Sequence, residues 1–206
     1  MFYYNLIWAC SKVLFKLCLR IKIVNESAVP RQGGLILVCN HESVLDPPIV
    51  GSSTWRKPVR FMARDSLFGP GIVGWFIRRI KAFPVKRGGA DRQAWAQFAQ
   101  FIKDGEVVCF FPEGTRSADG QLQPAHPGAG MLIHRCPGAV VLPVRIFGSG
   151  KVHHRDKGFV GFNKVSIAFG TALDLGAELS EEGSREVYAR IADKLMEGIA
   201  AIRPPY

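Results

Sequence analysis

The chain has 206 residues, enough for one domain with a full hydrophobic core. Lysine and arginine total 27 against 17 acidic residues, a net charge of +10, so the expected partners are anionic: a phospholipid surface, a phosphorylated substrate or nucleic acid. The five cysteines (Cys10, Cys18, Cys39, Cys109, Cys136) form no Cys-x-x-Cys pair and read as reduced core residues of a cytosolic protein, which argues against a disulfide-stapled secreted domain.

Fourteen of the eighteen residues from Phe2 to Leu19 are apolar or aromatic. No basic segment precedes them and no small-residue cleavage site follows, so a cleaved signal peptide is not expected. On a helix, Asn5, Lys12, Lys16 and Arg20 fall within a sector of about 80°. Residues 1–20 therefore read as an amphipathic helix in the plane of a membrane interface, since a perpendicular span would bury Lys12 near mid-bilayer. The alternative is a terminal helix packed on the protein's own core.

Beyond it, 21–24 reads as a short strand and 25–34 as a polar connection. Leu35 to Cys39 is an uninterrupted apolar run, the pattern of a strand buried on both faces. Pro48 to Ser52 opens a helix, with Asp46 as its N-cap and Pro47 at its first position. Val59 to Ala63 is strand-like and delivers Arg64 to its end. The stretch from Leu67 to Arg79 is glycine-broken, strongly apolar and ends in cations, and is either a second membrane-touching element or a core helix. Phe83 to Val85 is another short strand, followed by Lys86 and Arg87. Asp91 to Lys103 has helical spacing, with Trp95, Phe98, Ala99 and Ile102 on one face. Val107 to Phe111, Val140 to Phe147 and Val165 to Phe169 are strands, 129–134 a short helix, and a long helix runs from Ser180 to about Ile202. Apolar strands alternating with helical patterns, with 22 glycines and 13 prolines as punctuation, give a single α/β domain (21–206) with a mixed, largely parallel sheet flanked by helices.

The chemistry concentrates where two buried strands end. The first is followed by Asn40-His41-Glu42-Ser43-Val44-Leu45-Asp46. Extended chain would hold His41 and Asp46 ~17 Å apart, so only a tight turn, which Pro47 and Pro48 favour, brings them together. A carboxylate at one imidazole nitrogen fixes the tautomer and leaves the other nitrogen free to take a proton, as a general base requires. Taken alone, His-x4-Asp reads more readily as a capping aspartate beside an unrelated loop histidine. The second strand is followed by Pro112-Glu113-Gly114-Thr115-Arg116-Ser117, the same layout of strand, sharp turn and charged loop.

Together these two strand ends resemble the signature pair of the glycerolipid acyltransferases, of the 1-acylglycerol-3-phosphate (lysophosphatidic acid) acyltransferase type. Ala82-Phe83-Pro84-Val85-Lys86-Arg87 is similar to that family's intermediate block and Val141-Leu142-Pro143-Val144 to its proline-containing block, so the resemblance covers roughly residues 35–149. It implies transfer of a fatty acyl group from an acyl thioester, on CoA or acyl carrier protein, to the sn-2 hydroxyl of 1-acylglycerol 3-phosphate. It further implies His41 as general base, Asp46 as its orienting partner, and Arg116 as the principal phosphate contact, aided by Arg64, Lys86 and Arg87. Asn40, Ser43, Glu113, Gly114 and Thr115 are the other residues it places at the substrate. No cofactor or metal is expected. Neither a Gly-x-Ser-x-Gly elbow nor a cysteine paired with a histidine is present, so transfer is expected to be direct. The expected location is the cytoplasmic face of the inner membrane, as a peripheral or monotopic protein.

Two departures bear on the acceptor. His126-Pro127-Gly128 stands where relatives often have a lysine before glycine, and Lys81 occupies a position that is commonly glycine. Elsewhere, Gly148-Ser149-Gly150-Lys151 lacks the features of a phosphate loop, and His153-His154 with Asp156 reads as a surface loop, not a metal site. Other readings are an acyltransferase for a different lysophospholipid or glycerol 3-phosphate, and a non-catalytic basic protein of membrane surfaces or nucleic acid. No nucleic-acid-binding signature supports the last of these.

Overall fold

The computed structural model describes residues 2–86, 91–126 and 128–205. In chain order the elements are α1 (Phe2–Cys18), β1 (Lys22–Val24), β2 (Leu35–Cys39), α2 (Asp46–Ser53), β3 (Val59–Arg64), α3 (Ile72–Arg79), β4 (Phe83–Val85) and α4 (Arg92–Lys103). They continue with β5 (Val107–Phe110), α5 (Gly128–His134), β6 (Val140–Phe147), β7 (His153–His154), β8 (Gly158–Phe159), β9 (Ser166–Phe169), α6 (Gly176–Ser180) and α7 (Arg185–Ala201). Seven strands make one sheet in the order β1-β9-β6-β2-β5-β3-β4, and β7 pairs with β8 as a separate hairpin. The five strands from β6 to β4 run parallel; β9 is antiparallel to β6, and β1 runs with β9. This is the expected mixed, largely parallel sheet.

Alternation within the strands divides the core between the two faces of the sheet. Leu35, Leu37, Cys39, Val107, Cys109, Leu142 and Val144 point to one side, where Tyr4, Trp8 and Phe15 of α1 and Ile49 and Val50 of α2 cover them. Ile36, Val38, Val108, Phe110 and Val141 point to the other, beneath Phe98 and Ile102 of α4, Leu132 and Ile133 of α5, and Ile191, Leu195 and Ile199 of α7. With a helical layer on either side, β2 is buried at all five positions, which is why it carries no polar alternation.

Helix α1 has two apolar faces. Tyr4, Trp8, Phe15 and Leu19 recur at helical spacing and are buried, Trp8 to 1% exposure. Its indole lies against Gly51 of α2, where any Cβ would collide with the ring, and the Tyr4 hydroxyl accepts a hydrogen bond from the Val59 N–H at 2.8 Å. Tyr3, Leu6, Val13, Leu14 and Leu17 form an opposite stripe that is exposed, Leu17 to 73%. The lysines occupy the flank between the two. The boundary drawn at residue 20 therefore falls inside one continuous core, with α1 supplying part of it.

Exposure also decides between the alternatives for the apolar stretch 67–79. Of α3 only Gly74 is buried, while Ile72 is 86% exposed and Val73 and Trp75 also face outward. It is a surface element, not a core helix. The Arg79 guanidinium lies over the rings of both Trp75 and Tyr3, joining the exposed faces of α3 and α1.

Two helix starts differ from expectation. Asp46 is the first residue of α2 and not its N-cap; Leu45 holds that position without a side-chain cap, because the Asp46 carboxylate is turned back onto the preceding loop. The C-terminal helix begins at Arg185, capped by Ser184 Oγ accepting from Val187 N–H, and Ser180 instead ends the short α6. Gly183 lies against the Tyr188 hydroxyl, leaving no room for a side chain in the break between them. The β7–β8 hairpin was not anticipated from the sequence.

Candidate active site

Parallel pairing puts the ends of β2, β5, β3 and β4 along one edge of the sheet, the edge at which open α/β sheets hold their ligands. Leu35 to Val38 stand level with Val107 to Phe110, so the loops after β2 and β5 emerge side by side. The first carries Asn40 to Asp46 and the second carries Glu113 to Ser117.

Within the first loop the turn closes as the chemistry requires. His41 Nδ1 and Asp46 Oδ2 are 2.8 Å apart. The same Asp46 oxygen accepts from the backbone N–H groups of Glu42 and Ser43, each at 2.7 Å, and the carboxylate is wholly buried. Three donors on one oxygen fix both the carboxylate and the ring that it holds. The imidazole stacks on Phe111, with centroids 4.0 Å apart, and keeps 19% exposure. With the Nδ1 proton directed at Asp46, Nε2 carries the lone pair and makes no hydrogen bond among the described residues.

The second loop grips the backbone of the first. Glu113 Oε1 accepts from the His41 N–H at 3.0 Å, its other oxygen accepts from Gln123 N–H, and the Ser117 N–H donates to the His41 carbonyl at 2.7 Å. Burial pushes the Glu113 carboxyl up from its ordinary value, against these hydrogen bonds. Asn40 continues the sheet ladder: its amide oxygen accepts from Ile146 N–H at 2.8 Å and its amide nitrogen donates to the Ile146 carbonyl at 3.0 Å. Ser43, also buried, donates to the His153 carbonyl at 2.9 Å. The polar groups of Asn40, Ser43 and Glu113 are thus held by the protein itself.

The cations differ in position. Arg116 follows the turn at Gly114, where φ is +67°, a conformation that favours glycine. The Arg116 carbonyl accepts from the Arg155 guanidinium, while its own guanidinium makes no hydrogen bond or ion pair among the described residues. Thr115 is exposed beside it. Arg64 ends β3, in register with Val85, so Lys86 emerges next to it; both side chains are exposed. These strands lie two and three places from β2, roughly 10 and 14 Å across the sheet, further from His41 than the loop bearing Arg116. Arg87 lies outside the described residues. His126 covers Gly114, its Cβ 3.5 Å from where a side chain there would begin. Lys81 has φ of +64°, which explains why a glycine would suit that position.

Sequence reasoning missed Glu42. Burial first, and then the nearby Asp46 carboxylate, push its carboxyl up to about 7, although it accepts from Asn40 Nδ2 and Gly150 N–H. The only signal was a lone acidic residue next to His41. Cys39 and Cys109 flank the same strand ends, and burial pushes both thiols well above the usual range, so neither supplies a thiolate nucleophile. Among the described residues no group of three or more His, Cys, Asp or Glu side chains could hold a metal ion. His154 is engaged with the Ala118 carbonyl and the Asp156 N–H.

Comparison with known proteins bears on the family and the fold. The chain is 30% identical over 108 residues to the 1-acyl-sn-glycerol-3-phosphate acyltransferase of Bacillus subtilis, covering 52% of this chain and 54% of that protein. It is 28% identical over 171 residues to the protein of that name from Streptococcus pneumoniae, covering 81% and 61%. It thus spans only about half to three fifths of these relatives' lengths. The fold matches the crystal structure of the 1-acyl-sn-glycerophosphate (LPA) acyltransferase PlsC from Thermotoga maritima with a TM-score of 0.74 at 21% identity, over 97% of this chain and 80% of that one. The family model described as Acyltransferase matches residues 20–147, a stretch that includes both loops at the sheet edge, and the chain belongs to the acyltransferase family.

Proposed function

We propose that this protein transfers a fatty acyl group from an acyl thioester to the sn-2 hydroxyl of 1-acylglycerol 3-phosphate, forming phosphatidic acid. The observation that carries the reading is the 2.8 Å contact between His41 Nδ1 and Asp46 Oδ2, beside a loop that presents Arg116, whose guanidinium has no ion-pair partner among the described residues. An alcohol is scarcely ionised at neutral pH, so its attack needs a base already in place. His41 Nε2 takes the proton as the acceptor oxygen bonds to the thioester carbonyl carbon. Asp46 stabilises the imidazolium that results. Collapse of the tetrahedral adduct breaks the carbon–sulfur bond, and the proton on Nε2 passes to the departing thiolate, so the thiol leaves neutral and the histidine is restored. No acyl-enzyme is formed, which accords with the buried state of Cys39 and Cys109.

Arg116 holds the acceptor's phosphate, since a guanidinium offers two parallel hydrogen bonds and a permanent charge. Arg64, Lys86 and Arg87 supply further positive potential along the same edge. Asn40, Ser43 and Glu113 act by holding the loops in place. The exposed apolar faces of α1 and α3 rest on the membrane that supplies the acceptor, with the protein on its cytoplasmic face. No helix among the described residues is long and apolar enough to cross a membrane, and exposed apolar faces of this kind suit an interfacial attachment.

The test supplies the full chain with palmitoyl-CoA and a panel of lysophospholipids, following thiol release. Release should require an acceptor and fall at least ~100-fold in His41→Ala. Arg116→Ala should raise KM for phosphate-bearing acceptors far more than for monoacylglycerol. Acceptor-independent release, or an active His41→Ala variant, would sink the proposal.

A further inference from the structure

An open groove of about 1550 Å³ lies between the end of α1, the residues following Arg116, and the segment containing the β7–β8 hairpin. Glu42 and Ser117, the chain neighbours of His41 and Arg116, belong to its lining, so it borders the proposed reaction centre. Five cations also line it: Arg20, Arg145, Lys151, Lys157 and Lys164. The Arg145 guanidinium is engaged by the carbonyls of Ala200 and Ile202. The other four form no ion pair among the described residues. Asp119, the fixed anion in the lining, is already satisfied by Ser117 Oγ and Gln121 N–H. Four unneutralised cations around one concavity exceed what a single phosphate monoester needs.

The groove also has a ring and a rigid wall. Phe162 is 68% exposed, and an edge contact with Phe159 at 5.3 Å props it in place. The segment from Gly150 to Arg155 is tied to both active-site loops. Gly150 N–H donates to Glu42, Ser43 Oγ to the His153 carbonyl, His154 Nε2 to the Ala118 carbonyl, and Arg155 to the Arg116 carbonyl. This wall lies beyond residue 147, where the family match ends. Its position is nevertheless fixed relative to His41.

Building on the acyl-transfer reading, we infer that the groove binds the phosphorylated adenosine of an acyl-CoA donor. The 3′-phosphate and the diphosphate lie among Arg20, Lys151, Lys157 and Lys164, and the adenine stacks on Phe162. The pantetheine arm passes Glu42 and brings the thioester to His41. A carrier protein would offer a convex surface and one phosphate on its arm; a concave wall with dispersed cations beside an aromatic ring suits a nucleotide better.

The test is equilibrium titration of the full chain with adenosine 3′,5′-bisphosphate, comparing wild type with Lys151→Ala/Lys164→Ala. Saturable binding, weakened at least ~10-fold in the double variant, is expected. The ratio of kcat/KM for palmitoyl-CoA to that for the palmitoyl thioester of N-acetylcysteamine, which lacks the nucleotide, should fall by a similar factor. Absence of saturable binding, or binding undiminished in the variant, overturns the inference. So does loss of binding to phosphatidylglycerol vesicles with bisphosphate binding intact, which would assign the lysines to lipid. Lysine-dependent bisphosphate binding with neither thioester turned over would uphold the groove and refute acyl transfer; turnover at an unchanged ratio would refute the groove alone.

Discussion

Glu42 and Asp46 are two carboxyl groups of one turn with opposite circumstances. Asp46 takes three donors on one oxygen, whereas Glu42, facing the groove, receives two longer hydrogen bonds and the repulsion of Asp46. Its carboxyl rises from 4.5 to about 7, so between those values the folded protein holds a proton that the unfolded chain has lost. Glu42 therefore favours the folded state fully below about 4.5, and that contribution is lost as pH rises to about 7. Glu42→Gln should remove this dependence, raising stability relative to wild type at pH 8 by ~1–3 kcal/mol while changing it little at pH 4.5. Urea unfolding at the two pH values is the check; an equal change at both would show that Glu42 does not titrate in this way. The pairing of His41 with Asp46 was readable in the sequence, because the partners are five residues apart and the two prolines favour a turn. The bonds of Asn40 to Ile146 were not, since 106 residues intervene and only the register of β2 against β6 brings the groups together.

At the scale of elements, the strands were legible where a layer of helices covers both faces, as for β2 and β5, whose unbroken apolar runs fit a strand buried on both sides. Helix starts were less so. Asp46 and Ser180 are both apt caps by residue type, but the Asp46 carboxylate is committed to the turn at 41–43 and cannot also cap, and Ser184 competes successfully for α7. The packing of α1 on α2 rests on Gly51, which leaves space for the Trp8 indole. At an ordinary helical glycine, alanine stabilises by roughly 0.5–1 kcal/mol. Gly51→Ala should instead destabilise by roughly 1–3 kcal/mol, because the added methyl meets the ring. A higher urea midpoint in the variant would contradict the close fit.

For the whole molecule, a net charge of +10 and an exposed apolar surface point to the same kind of partner. Composition alone left α1 divided between core helix and interfacial helix; its 17 residues carry a buried apolar stripe, which packs on the core, and an exposed one on the opposite side. Leu6 and Leu14 belong to the exposed stripe and stay outside the core. Replacing both by Gln should reduce sedimentation with phosphatidylglycerol vesicles at least ~10-fold and leave the unfolding temperature within about a degree of wild type. Vesicle binding that survives the double change would move the attachment elsewhere. A helix locked onto the sheet through Trp8 cannot swivel independently of it. On the membrane attachment proposed above, the outer stripe would set the tilt of the strands and the height of His41 above the bilayer together, so the proposed acceptor would have to be lifted by a fixed amount to react, whatever the length of its tail.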